Sequence, residues 1–89
     1  MKNKKILINN KLGLHARAAA KFVRIASGFQ SEIMIHLGNR EVSGKSIMGI
    51  MMLAAGKGTE INIITIGPDE NEAMTSLEDL IINKFGEPE

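Results

Sequence analysis

The sequence predicts an α+β fold in which helices cover one face of an antiparallel sheet. Its hydrophobic periodicity indicates the element order strand, helix, strand, strand, helix, strand, helix. The pair Gly38-Asn39 between two short strands favours a hairpin, and therefore antiparallel pairing. Because the strands alternate between apolar and polar residues, only one face of the sheet should be buried, as in an open-faced β-sandwich.

Length and composition limit the chemistry that the chain can carry. With 89 residues, it is expected to form a single domain, residues 1–89, with a small core. The absence of cysteine excludes disulfides, thiolate metal sites and thiol redox chemistry. A net charge of +1 gives no argument for a nucleic-acid or membrane partner. The apolar run Ile6-Leu7-Ile8 is too short for a signal peptide or a membrane span, so the expected compartment is the cytoplasm.

Four segments have the pattern of short strands: residues 4–9, 32–37, 40–43 and 60–66. In the first strand, Ile6 and Ile8 share one face. In the second, Ile33, Ile35 and Leu37 are expected to face the core. The fourth is rich in isoleucine, which suits a strand with a buried face.

Two segments have the periodicity of amphipathic helices. The first covers residues 16–27, and its expected buried positions are Ala19, Phe22, Val23 and Ala26. The second follows a turn at residues 67–70, and its expected buried positions are Ala73, Leu77, Leu80 and Ile81. Residues 86–89 are expected to form a loose tail.

A short middle helix, residues 46–55, is apolar on all sides. Ser46 can cap its N-terminus and Gly56 can end it. So short a helix cannot bury every face against one sheet. The positions expected to pack inward are Ile50, Leu53 and Ala54. Those expected to include exposed side chains are Ile47, Met48 and Met51, which would form an adaptable docking surface.

His15 lies between a glycine-containing loop and the predicted first helix. The first amides of a helix have no intrahelical partner, and the helix dipole adds partial positive charge, so this end can bind an anion. Arg17 adds a guanidinium whose fork matches phosphoryl oxygens. The arrangement suits a phosphoryl group carried on the imidazole. Taken alone, the spacing Gly13-x-His15-x-Arg17 is also that of an ordinary helix-capping histidine.

Other polar residues have simpler interpretations. Arg17, Lys21 and Arg24 recur on one face of the first helix, as a solvated surface or as a basic rim that attracts acidic partners. His36 is expected on the polar side of a strand, with no paired carboxylate or second ligand beside it. We interpret His36 as a surface residue, and the sequence supports neither a metal site nor a cofactor.

Two segments, residues 10–17 and 45–53, resemble the HPr family, the small histidine phosphocarriers of the bacterial phosphoenolpyruvate:sugar phosphotransferase system. The similarity continues at residues 55–58 and in the length and element order. The resemblance implies a four-stranded antiparallel sheet with three helices on one face. It also implies a carrier rather than an enzyme. His15 would accept a phosphoryl group on Nδ1 from phosphorylated enzyme I and pass it to the IIA component of a sugar permease.

The resemblance implies roles for further residues. Arg17 would neutralise phosphoryl charge during transfer. Ser46 is similar to the site that an ATP-dependent HPr kinase phosphorylates in bacteria that have one, and phosphate there would repel an acidic partner face. We expect a monomer that docks enzyme I and IIA on one shared face. That face would contain Ala16, Ala20, Lys21, Arg24, Ile47, Met48 and Met51.

One residue departs from the family's pattern, because Ala18 occupies a position where proline is usual. Proline suits the first helical turn since its missing N–H is not needed there. Alanine keeps the helix propensity high and restores one donor. We expect phosphoryl transfer to survive this change. It leaves two branches open: sugar uptake, and a regulatory phosphotransferase relay related to nitrogen.

Two other functions compete with the carrier. A small acyl-phosphate hydrolase could hold phosphate with Arg17 and loop amides, but the chain lacks an evident Arg and Asn pair around a phosphate loop. A purely regulatory partner could act through Ser46 and the docking surface. The family member of that kind lacks the active histidine, whereas His15 is present here.

Overall fold

The computed structural model describes all 89 residues, and it contains one four-stranded antiparallel sheet. The strands are β1 (Lys2–Leu7), β2 (Glu32–Leu37), β3 (Arg40–Ser43) and β4 (Glu60–Ile66). The helices are α1 (Ala16–Ala26), α2 (Ile47–Met52) and α3 (Glu70–Ile82), and a short 3-10 turn, Lys84–Gly86, follows. The chain order βαββαβα confirms the prediction, and the strand order in the sheet is β1-β4-β2-β3.

The alternation of the strands places the core on one face of the sheet. Ile33 and Ile35 of β2 are buried, as are Ile61 and Ile63 of β4, while the residues between them are more exposed. The register sets Ile35 opposite Ile63, and it sets Ile61 opposite Ile6 of β1. These side chains therefore form one continuous apolar layer beneath the helices.

The amphipathic helices supply the opposite layer of the core. Their fully buried residues are Ala18, Ala19, Phe22 and Ala26 of α1, and Ala73, Leu77 and Ile81 of α3. Two predicted core positions, Val23 and Leu80, are only half-buried. Complete burial of a side chain such as that of Phe22 contributes about 1.5–3 kcal/mol. The buried positions predicted from the sequence thus pack α1 and α3 against the sheet.

The first strand begins and ends two residues earlier than predicted. β1 pairs with β4 from Lys2, opposite Thr65, to Leu7, opposite Glu60. The strand bounds follow this ladder rather than the apolar pattern of β1 alone. Ile8 lies beyond the ladder but is buried as expected, and its amide donates to the carbonyl of Thr59 over 2.9 Å.

The middle helix is shorter than predicted. Ser46 caps α2 by accepting a hydrogen bond from the amide of Gly49, as expected, but the helix ends at Met52 instead of reaching Gly56. Ala54 turns the chain away with a left-handed backbone, φ 53°, and its side chain is exposed rather than packed inward. Ala55 takes the buried position instead.

The prediction of a loose tail at residues 86–89 was wrong. The tail is anchored by Phe85, which is 1% exposed and has a left-handed backbone. The ammonium group of Lys21 donates to the Phe85 carbonyl over 2.6 Å. The amide of Lys11 donates to the carbonyl of Glu89 over 3.0 Å. These contacts hold the end of the chain against α1 and the loop that precedes it. None of the helices is long and apolar enough to cross a membrane.

Candidate functional site

His15 is the N-cap residue of α1, and its ring is not used for capping. Its backbone is extended, with φ −76° and ψ 176°, and its side chain forms no capping hydrogen bond. The first helical bond runs from the amide of Ala19 to the His15 carbonyl over 2.8 Å. The amides of residues 16–18 precede this bond and have no acceptor within the helix. Donors and partial positive charge therefore surround the histidine backbone.

The loop before His15 is held from two sides. Gly13 has a left-handed backbone, φ 66°, and a Cβ added there would lie 2.4 Å from the carbonyl oxygen of Ala55. The amide of Leu14 donates to that same oxygen over 2.9 Å. Asn10 is fully buried, and its Nδ2 donates to the Gly13 carbonyl over 2.9 Å. The backbone just before His15 is thus held in place by its contacts with Ala55 and Asn10.

A surface cleft of about 560 Å³ adjoins His15. Its walls are the loop before α1, the first turn of α1 and the tail: Lys11, Leu12, His15, Ala16, Arg17 and residues 87–89. Arg17 is exposed, so its guanidinium is accessible to an anion in the cleft. The structure therefore brings the two predicted phosphate-handling residues, His15 and Arg17, to one site.

The tail places a carboxylate against the ring of His15. The Oε2 atom of Glu87 lies 2.6 Å from Nε2 of His15. Its other oxygen, Oε1, accepts a hydrogen bond from Nδ2 of Asn10 over 3.1 Å. The Glu87 side chain is 12% exposed and that of His15 is 26% exposed. Asn10, Glu87 and His15 thus form one chain of hydrogen bonds.

The environment of Glu87 favours its ionised form. Burial alone raises the pKa of this carboxyl, but the hydrogen bonds from His15 and Asn10 outweigh this effect, and the positive charge of Lys21 also lowers the pKa. The net effect is a pKa below the usual value. An ionised carboxylate has no proton to donate, so it accepts from Nε2–H of His15. Sequence reasoning missed Glu87 because 72 residues separate it from His15 and no local pattern links them.

The short helix α2 presents the exposed apolar surface that was predicted. Ile47 and Met51 are each 41% exposed, and Met48 is 72% exposed. Met52, which lies in the same apolar segment but was not among the residues expected to be exposed, is 70% exposed. Ser46 is half-buried at the start of this helix, and its Oγ accepts from the amide of Gly49 over 3.0 Å.

The predicted residues of α1 fall into two groups. Ala16 and Arg24 are exposed and Ala20 is half-buried, on a helix that packs beside α2. Lys21 is half-buried and engaged, because its ammonium binds the carbonyl of Phe85. In this structure Lys21 ties the tail to α1, a role that sequence reasoning did not predict.

The second histidine has a partner that was not expected. Nε2 of His36 lies 2.6 Å from Oε2 of Glu41, which faces it from β3. The sequence interpretation that no carboxylate accompanies His36 was therefore wrong, because hairpin pairing brings the two together. No group of three or more His, Asp or Glu side chains is arranged to hold a metal ion.

Comparison with known proteins gives consistent matches. The family model described as "PTS HPr component phosphorylation site" matches residues 2–83. The phosphocarrier protein HPr of Neisseria meningitidis serogroup A is 56% identical over 89 residues, which is 100% of both chains. The structure of HPr from Thermoanaerobacter tengcongensis superimposes with a TM-score of 0.96 at 49% identity, covering 100% of both chains.

A dimer of HPr from the same organism gives a TM-score of 0.79 at 50% identity, over 98% of this chain and 100% of that one. The expectation of a monomer stays a prediction. The match to the family model extends from β1 into the residues that follow α3, and it includes both segments on which the resemblance was based. The chain therefore belongs to the HPr family of the phosphotransferase system.

Proposed function

We propose that this chain is a phosphocarrier that accepts a phosphoryl group on His15 from phosphorylated enzyme I and donates it to a IIA component. The observation that carries this proposal is the placement of His15. His15 is the N-cap residue of α1, it precedes amides without helical acceptors, and it lines one cleft with Arg17. A phosphoryl group on the ring would lie near backbone donors and the permanently charged guanidinium of Arg17 without being enclosed.

The shallow site suits a carrier, because a carrier must release the group that it accepts. The backbone amides at the helix end and the guanidinium of Arg17 are positioned to stabilise the negative oxygens during transfer. The cleft is too open to retain phosphate as a deep pocket would. We therefore expect such a site to favour neither the loaded nor the unloaded state strongly.

The exposed surface of α2 is the proposed docking face for both partners. Ile47, Met48 and Met51 offer flexible apolar contacts, and Arg17 and Arg24 of α1 add positive charge. Such a surface suits partners with an apolar patch and acidic surroundings, bound weakly and in turn. We also assign Ala16 and Ala20 to this face, where their small side chains permit close approach.

Ser46 is the proposed regulatory site. Its hydroxyl lies at the N-terminus of α2, within the docking face. A phosphate here would add a charge of about −1.5 to −2. That charge suits the positive end of the helix but opposes an acidic partner. Phosphorylation by an HPr kinase would therefore slow transfer from enzyme I while the fold is retained.

The experiment mixes the chain with purified enzyme I and phosphoenolpyruvate. An acid-labile, base-stable phosphoprotein is expected, and the label should pass on when a IIA component is added. His15→Ala should abolish the label, whereas His36→Ala, which removes the other histidine, should keep it. Persistence of the label in His15→Ala, or its absence from the wild-type chain, would refute the proposal.

A further inference from the structure

We propose that Glu87 is a positioning residue that holds His15 in the tautomer with its proton on Nε2, leaving the lone pair of Nδ1 free for the phosphoryl group. This inference rests on the proposed phosphocarrier function and adds to it a residue outside the loop and helix that carry the histidine. Glu87 acts through the ring and makes no contact with phosphate in this scheme.

The geometry gives Nε2 a single partner. The separation of 2.6 Å from Oε2 of Glu87 is that of a strong hydrogen bond between a charged and a neutral group. A neutral imidazole carries one N–H and one lone pair. If a carboxylate accepts from Nε2–H, the lone pair must be on Nδ1. The same hydrogen bond occupies Nε2, so the free lone pair of the neutral ring is the one on Nδ1.

Glu87 is itself held in place, so its effect on the ring does not depend on a mobile side chain. Nδ2 of Asn10, a fully buried residue, donates to Oε1 of Glu87 over 3.1 Å. The backbone on either side of Glu87 is tied through the bonds of Lys21 to Phe85 and of Lys11 to Glu89. A side chain fixed by such surrounding contacts can orient a catalytic ring with little reorganisation.

Phosphoryl transfer from enzyme I to Nδ1 requires no loss of a proton from His15. The Nδ1 lone pair forms the new N–P bond. The bond from phosphorus to the donor atom of enzyme I breaks, and its electron pair stays on enzyme I. The ring becomes a cation that keeps its Nε2 proton, 2.6 Å from the Glu87 carboxylate. When a IIA component takes the phosphoryl group, the N–P electron pair returns to Nδ1 and the ring is neutral again.

The test measures the tautomer directly and needs no enzyme I. The full chain is labelled with ¹⁵N-histidine, and the ¹⁵N shifts of both ring nitrogens are recorded at alkaline pH. In the wild-type chain, His15 should carry its proton on Nε2. In Glu87→Ala, the ratio of the Nε2–H to the Nδ1–H form should fall about tenfold, which corresponds to about 1.4 kcal/mol.

Glu87→Gln tests the charge at constant size and guards against loosening of the tail. Its amide can donate to the ring as well as accept from it, so the ratio should fall here also. The matched control is Glu41→Ala, since Glu41 and His36 form a second pair with the same 2.6 Å separation. That variant should change the ring signals of His36 and leave those of His15 unchanged.

A second readout follows the site of phosphorylation. Phosphoramidate transfers its phosphoryl group to an imidazole nitrogen, and ammonia leaves with the electron pair of the P–N bond. Wild type should be labelled on Nδ1, and Glu87→Ala should form a measurable fraction of the Nε2 isomer. A purely structural role of the tail would change the yield but not the choice of nitrogen.

The outcomes separate the two proposals. An unchanged His15 tautomer ratio in both Glu87→Ala and Glu87→Gln, with folded amide spectra, would overturn the role of Glu87. This result would leave the phosphocarrier function untouched if enzyme I still labels the wild-type chain. Failure of enzyme I to label the wild-type chain would refute the carrier, whatever the tautomer.

Discussion

Substitution of Gly13 by alanine should be among the most damaging small changes in the chain. Its left-handed backbone, φ 66°, disfavours any residue with a Cβ by about 1–2 kcal/mol. The new Cβ would also lie 2.4 Å from the Ala55 oxygen, a distance at which the backbone must move. That movement breaks the bond from Leu14 to Ala55, and a buried donor left unpaired costs about 1–3 kcal/mol.

Together these effects predict a loss of about 2–5 kcal/mol in the free energy of unfolding for Gly13→Ala. For a domain of this size, the melting temperature should fall by roughly 8–40 °C. Thermal and urea unfolding followed by far-ultraviolet circular dichroism would measure it, because the chain has no Trp or Tyr for fluorescence. Below the new melting temperature, labelling by enzyme I should also be slower, since the loop that carries His15 is displaced.

Substitutions at two other glycines, Gly56 and Gly58, distinguish the cost of the left-handed backbone from the cost of the close contact with Ala55. A Cβ at Gly58 would meet nothing within 4 Å, but the backbone is left-handed at φ 89°, so Gly58→Ala should cost about 1–2 kcal/mol. A Cβ at Gly56 also meets nothing, and its φ lies outside the left-handed region, so Gly56→Ala should be neutral or slightly stabilising. If Gly13→Ala were no more harmful than Gly58→Ala, the close approach to Ala55 would have no energetic weight and the reasoning would be refuted.

Three further predictions concern other parts of the chain. Ser46→Ala removes the cap on the Gly49 amide and should cost about 1 kcal/mol, or about 4–8 °C in melting temperature, while Ser46→Asp should retain stability but slow labelling by enzyme I. The hydrogen bond from the Ser31 hydroxyl lowers the pKa of Asp69, so the ionised carboxylate stabilises the fold above the pKa of the unfolded carboxyl, and this contribution is lost as the pH falls through the lowered value. Asp69→Asn should therefore lower the urea midpoint at neutral pH, and the midpoint of the variant should decline less steeply in acid than that of the wild type. Met48→Glu should raise the KM for the chain as a substrate of enzyme I about five- to tenfold, and it should change the free energy of unfolding by less than about 0.5 kcal/mol. A change in stability without a change in KM would contradict the proposed docking face.

The features that could be predicted from the sequence are those with a local physical signal. The bounds of β4 and the hairpin at Gly38-Asn39 follow from alternation and turn chemistry. The cap at Ser46 and the exposure of Met48 follow from the composition of one short segment. Each of these depends on residues a few positions apart, and the structure confirms them.

The features that were missed depend on contacts between distant parts of the chain. β1 starts at Lys2 because β4 provides partners for it, which the apolar residues of β1 cannot reveal. Helix α2 ends early because Ala54 is left-handed, a conformation that alanine does not signal. Glu87 reaches His15 only after α3 and the turn at Phe85 have brought the chain back. No periodicity or motif encodes that return.

The close pairing of the loops around Ile8 and Ala55 has a consequence for protein engineering. The amide of Ile8 donates to the carbonyl of Thr59, and the carbonyl of Ile8 accepts from the amide of Gly58. Together with the bond from Leu14 to Ala55, these contacts fix the spacing of the two loops at both ends. A peptide inserted between residues 55 and 59 would break them and move the loop that carries His15. The exposed hairpin tip at residues 38–39 has no such partners, and it is the place to insert a reporter peptide.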